Sequence, residues 1–74
     1  MTYEQVIKKI FIQNPFYGFV LMGLPIEESK DVPTAGVSLN ESLLTFELTV
    51  NPDFWKTLTD RQQIEVFKHE LLHI

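Results

Sequence analysis

The last fifteen residues, Asp60 to Ile74 (DRQQIEVFKHELLHI), restrict the fold more than any other stretch of this chain. Just before them, Thr59 supplies a hydroxyl at the N-cap and Gln62 an amide three residues later, a capping box that predicts a helix start. Neither Gly nor Pro follows. At about 100° per residue, Ile64, Phe67, Leu71 and Ile74 share an apolar stripe, while Gln62, Val66, His69 and His73 share the opposite face. The segment His69-Glu70-Leu71-Leu72-His73 has the pattern H-E-x-x-H. Helical residues four apart differ by about 40° in rotation and about 6 Å in rise. Two imidazoles so placed can reach one ion at the ~2.0–2.1 Å of a zinc–nitrogen bond. Glu70 falls beside that ion, where a general base for an activated water belongs. Val66 and Leu72 flank the histidine face, which predicts a site sheltered from water. The alternative is a solvated face on which Glu70 is one more surface carboxylate. Against it, the only two histidines in the chain fall in register around one glutamate.

Seventy-four residues make one domain at most, here residues 1–74. A domain near that size buries only about 60% of the surface its unfolded chain exposes, so its stability is marginal without a disulfide, a metal or a partner. There is no cysteine, which excludes disulfides and gives no sign of an oxidising compartment. Six basic against ten acidic residues, a net charge of −4, argue against nucleic acid or an anionic membrane as the main partner. A metal or a polypeptide stays open.

Upstream, Thr2 can cap a first helix over TYEQVIKKIFIQN. Val6 and Ile10, with Tyr3 and Ile12, give it an apolar stripe, and Lys8 and Lys9 lie on its other side. Asn14-Pro15 ends that helix, because a residue before proline avoids the α region. The apolar run Phe16 to Leu24 is about half the length of a transmembrane span. No small-residue cleavage site follows it, so it does not read as a signal peptide. A buried strand is expected there, with Gly18 and Gly23 at close backbone approaches. Glu27 to Asp31 reads as a solvated loop. Pro33 to Leu39 is a short strand and Asn40-Glu41-Ser42 a turn. Leu43 to Val50 is a strand in which Leu44, Phe46, Leu48 and Val50 alternate with polar residues. The two strands predict a hairpin. Asn51-Pro52 caps a short helical turn, and Phe54, Trp55 and Leu58 are expected in the core. The fold class is α+β: a small antiparallel or mixed sheet of about three strands, an N-terminal helix and a C-terminal helix bearing H-E-x-x-H.

Strands followed by such a helix are similar to the zincin metallopeptidases. More specifically, NPFYGFVLMGLPIEES, VPTAGVSLN and LTVNPDFWKTLTDRQQIEVFKHELLHI resemble the metallopeptidase domain that precedes a von Willebrand factor A-like domain in bacterial and phage proteins. The resemblance covers nearly everything after the first helix. It implies a zinc-dependent hydrolase of peptide bonds, with His69 and His73 as zinc ligands and Glu70 as catalytic base. It also implies a sheet edge on which an extended peptide substrate lies.

That family continues past the motif and supplies a third ligand, whereas the sequence here ends one residue after His73. The expectation is therefore the N-terminal part of a zincin-like domain, weakly active or inactive by itself, completed by a C-terminal segment or another chain. A catalytic zinc takes three protein ligands. Glu41, Glu47 and Asp53 are the upstream carboxylates available, with no spacing argument for any of them. The alternatives are a non-catalytic interaction module, docking through Leu71, Leu72 and Ile74, or a homo-oligomer in which two His pairs share one zinc. The acidic, cysteine-free composition favours the cytoplasm.

Overall fold

The computed structural model describes residues 1–73. Four helices and three strands follow in the order α1 (Tyr3–Gln13), α2 (Pro15–Met22), β1 (Ile26–Glu28), β2 (Ala35–Asn40), β3 (Thr45–Val50), α3 (Pro52–Lys56) and α4 (Asp60–Leu71). The class is the expected α+β, with a mixed sheet.

Local chemistry explains each helix start. Thr2 and Gln5 form a reciprocal capping box on α1, and Thr59 and Gln62 form another on α4. Each box satisfies two backbone N–H groups that a helix start leaves without partners. On α3, the Asn51 side chain accepts from the N–H groups of Asp53 and Phe54, with Pro52 in the first turn. Asn51 Nδ2 also donates to the Val32 carbonyl at 2.9 Å, tying the loop before β2 to the start of α3.

The run Phe16 to Leu24 corrects the expected strand. Most of it is helix α2, led in by Pro15 in the first turn and extended backbone at Asn14. A short apolar run carries no period that tells a buried strand from a helix, and proline's fixed φ favours the first helical turn. Gly18 does mark a close approach, because a Cβ there would stand 2.3 Å from the Phe11 Cα. This lets α1 and α2 pack backbone to backbone. Gly23 does not: it follows α2 with φ −88°, and a Cβ there would make only an ordinary contact.

The first strand takes Glu27 and Glu28 from the stretch expected to be a solvated loop, together with Ile26 before it. Ile26–Glu28 pairs parallel to β3, Ile26 opposite Leu48 and Glu28 opposite Val50. Leu48 N–H donates to the Pro25 carbonyl at 2.9 Å and Ser29 N–H to the Val50 carbonyl at 3.0 Å. Tyr3 explains how a strand with two glutamates is held: its hydroxyl donates to Glu28 Oε2 at 2.7 Å. Burial, first, and then that bond and the Glu28 charge push the Tyr3 phenol up to about 12.

The hairpin forms as expected, β2 antiparallel to β3 with Asn40 opposite Thr45 and Ala35 opposite Val50. Its turn takes Glu41 to Leu44, so Leu43 and Leu44 leave the expected strand. Leu44 has φ 54°, in the left-handed region. Asn40 organises the turn, accepting from Leu43 N–H at 3.2 Å and donating to Glu47 at 2.7 Å. The strand order β1-β3-β2 leaves β2 at one edge.

One core unites these parts: Val6, Ile7 and Ile10 of α1, Leu21 of α2, Leu48 and Val50 of β3, Trp55 of α3, and Ile64 and Phe67 of α4. Ile12, placed on the α1 stripe from the sequence, is exposed, and Ile7 takes the buried position. Trp55 and Phe67 have ring centroids 4.9 Å apart, with Tyr3 4.9 Å from Trp55. Trp55 Nε1 donates to the Met1 carbonyl at 3.0 Å, giving the buried indole its partner. Of the expected core residues, Phe54 and Leu58 are half-buried. No helix among the described residues is long and apolar enough to cross a membrane.

Candidate metal and proton-transfer site

Helix α4 sets the site by what it buries. Phe67 and Ile64 anchor one side in the core, and Leu71 packs half-buried beside them. Ile74, the last residue of the expected stripe, lies outside the described residues. Gln63 is also buried, its Nε2 donating to the Trp55 carbonyl at 3.2 Å, while its Oε1 finds no partner among the described residues. These contacts fix the rotation of α4 and turn His69 and His73 outward.

The helix tightens as it ends. Leu72 N–H donates to the His69 carbonyl and His73 N–H to the Glu70 carbonyl, both at 3.1 Å and both spanning three residues. His73 therefore sits in a closing turn one residue past the cap. The two imidazoles still converge: His69 Nε2 and His73 Nε2 are 3.3 Å apart, with the rings nearly perpendicular at 79°.

That separation has two chemical readings. One imidazole can donate to the other in a long hydrogen bond, beyond the usual ~2.7–3.2 Å. Alternatively, it is the bite of a tetrahedral ion: two nitrogens at ~2.05 Å subtending about 109° are about 3.3 Å apart. The donor set suits zinc, and the nitrogen separation matches its bite. Two ligands are not three, however. Among the described residues no group of three His, Cys, Asp or Glu side chains is placed to hold a metal. The upstream carboxylates are engaged or distant in the fold: Glu47 accepts from Asn40, Asp53 pairs with Lys30 at 3.6 Å, and Glu41 lies in the hairpin turn.

The expected shelter is only partial. His69 and His73 are exposed, Glu70 is half-buried, and Leu72 is 71% exposed. Beside them opens a pocket of about 300 Å³. Ala35 of β2, Phe54 of α3 and Val66 of α4 form its apolar walls, and Glu65, His69 and Glu70 bring polar groups to it. Phe54, expected in the core, instead walls the pocket and is not among the side chains packed on the core. Glu65 was not singled out from the sequence, although its position four residues before His69 places it on the same helical face.

The pocket also meets the free edge of the sheet. Asn51 N–H donates to the Thr34 carbonyl at 2.7 Å, so Thr34 faces β3. Antiparallel pairing alternates, so the N–H and C=O groups of Ala35, Val37 and Leu39 face away from β3. Ala35 therefore carries both a pocket wall and an outward pair of backbone groups. Comparison with protein-family models, with curated proteins and with solved structures finds no match to this chain.

Proposed function

We propose that this chain carries the motif-bearing part of a zinc-dependent peptidase, with His69 and His73 as two of the zinc ligands and Glu70 as the group that moves the proton. The observation carrying this reading is the 3.3 Å between the two Nε2 atoms, which equals the bite of a tetrahedral zinc. When bound, zinc supplies Lewis acidity, acidifying a water and polarising a carbonyl. The protein residues do the rest. His69 and His73 would hold the ion through their Nε2 atoms. Glu70 takes a proton at its carboxylate from the attacking water and returns it to the leaving amine. The outward groups of Ala35 and Val37 pair with an extended peptide as an added strand, which sets the scissile bond across the face of α4. A third ligand comes from outside the described residues.

The test is Glu70→Gln in the protein completed by the segment or chain that supplies the third ligand, assayed for zinc content and for hydrolysis of a peptide mixture by mass spectrometry. Zinc is retained and cleavage falls about 10²–10⁴-fold. Cleavage at the original rate in the variant overturns the assignment.

A second reading, a non-catalytic interaction module, is favoured by one feature away from α4. Phe16, Phe19 and Met22 recur every three residues along α2 and are 70%, 72% and 64% exposed. A contiguous apolar stripe of this kind marks an interaction surface more often than a solvated face. This reading expects self-association by sedimentation, lost in a Phe16→Ser, Phe19→Ser double variant. A wild-type monomer at every concentration rejects it.

A further inference from the structure

The pocket beside His69 holds a combination that the proposed chemistry does not use. Its walls, Ala35, Phe54 and Val66, are apolar, and two carboxylates, Glu65 and Glu70, stand at it with no Lys or Arg in the lining. Glu70 is assigned to proton transfer. Glu65 is left over: exposed, one turn before His69, and with no hydrogen bond or ion pair to any of the described residues. At about 300 Å³ the pocket lies at the bottom of the range for small-molecule sites, so it suits one side chain better than a whole ligand.

We infer that this pocket receives the side chain of a lysine or arginine from an extended peptide, and that Glu65 is the residue that selects it. The aliphatic stem of such a side chain lies against Phe54, Val66 and Ala35 while its cationic head reaches the carboxylate at the rim, as long basic side chains do on apolar surfaces. Ala35 supplies the register. Its backbone groups face the free edge, so a peptide strand added to β2 pairs at the residue that also walls the pocket. A chain with a net charge of −4 favours the approach of a basic peptide as well. This inference rests on the peptidase reading only in taking the ligand to be a peptide; selection by Glu65 needs neither zinc nor cleavage.

The experiment is an NMR titration of the zinc-free protein with N-acetyl-lysinamide and with N-acetyl-norleucinamide, which has the same stem and no charge. The lysine probe is expected to shift the amides of Ala35 and Val66 and to bind about three- to fivefold more tightly, the scale of an exposed ion pair. The difference shrinks at 1 M salt. In Glu65→Gln, with helix content checked by circular dichroism, the lysine probe falls to the level of the norleucine probe. Equal binding of the two probes, no binding of either, or a lysine preference that survives Glu65→Gln overturns the inference. Its failure is separable from that of the peptidase reading. A lysine preference lost in Glu65→Gln, in a protein that neither holds zinc nor cleaves peptides, supports the pocket and rejects the peptidase. Zinc binding and cleavage with no lysine preference do the reverse.

Discussion

Gly18 stands against the backbone of Phe11, with room for a hydrogen and nothing larger: a Cβ at Gly18 would meet the Phe11 Cα at 2.3 Å and its N at 2.7 Å. Two effects of Gly18→Ala oppose each other. Alanine is the better helix former by about 1 kcal/mol. The clash involves backbone, which cannot rotate away, so α1 and α2 must separate, and overpacking of this kind costs about 1–3 kcal/mol or more. The clash wins. Urea denaturation should show Gly18→Ala less stable than the wild type, with loss of packing at Leu21, the buried residue of α2 on the core.

Zinc should stabilise the fold through the His69–His73 pair. A ligand that binds only the folded state adds about 2.7 kcal/mol at a free concentration one hundred times its Kd. Thermal unfolding with increasing zinc should raise Tm in the wild type and not in His69→Ala or His73→Ala, and chelation should reverse the gain. An equal rise in both variants would place the metal elsewhere.

The capping box of α4 bears on the site from a distance. Thr59 Oγ1 accepts from Gln62 N–H at 3.2 Å, and Gln62 Oε1 accepts from Thr59 N–H at 2.9 Å. Thr59→Ala should cost about 1 kcal/mol. Because Phe67 still anchors the helix, zinc affinity should change far less than stability. Parallel denaturation and zinc titrations check this.

Tyr3 gives the fold an alkaline limit. Its phenol is raised from 10 to about 12, by burial first and by Glu28 second. The unfolded chain therefore releases this proton before the folded one does, and the stability held below pH 10 is lost as the pH rises towards 12. Tyr3→Phe should be less stable than wild type at pH 7 by roughly 1 kcal/mol, the worth of one hydrogen bond. It should also lose less stability than wild type between pH 10 and 12. Denaturation midpoints at several pH values decide the sign.

Where a residue's local chemistry decides its structure, the sequence was readable. Thr59 with Gln62, and Asn51 with Pro52, fix helix starts through bonds to their own neighbours, and the structure has both. The alternation from Phe46 to Val50 likewise gives β3 with Leu48 and Val50 buried. Phe16 to Leu24 reads equally as strand or helix because its nine residues have no polar face from which to read a period. Ile26–Glu28 was missed because its place in the sheet depends on partners twenty-two residues away and on Tyr3, neither visible locally. At the site, spacing alone identified His69, Glu70 and His73. Glu65 came to notice only when Phe54 and Ala35, from other elements, closed a pocket around it.

The parallel pairing of β1 with β3 also governs how the chain folds. The hairpin closes over a four-residue turn, Glu41 to Leu44, so β2 and β3 can pair through short-range contacts. Bringing Ile26 to Leu48 closes a much longer loop, and its entropy must be overcome before the pairing contributes anything. Docking of the α1–α2–β1 half should therefore be a late event in refolding. The Leu48 amide, bonded to Pro25, reports on it. In pulse-labelled hydrogen exchange it should gain protection after the Thr49 amide, although the two residues are neighbours on one strand.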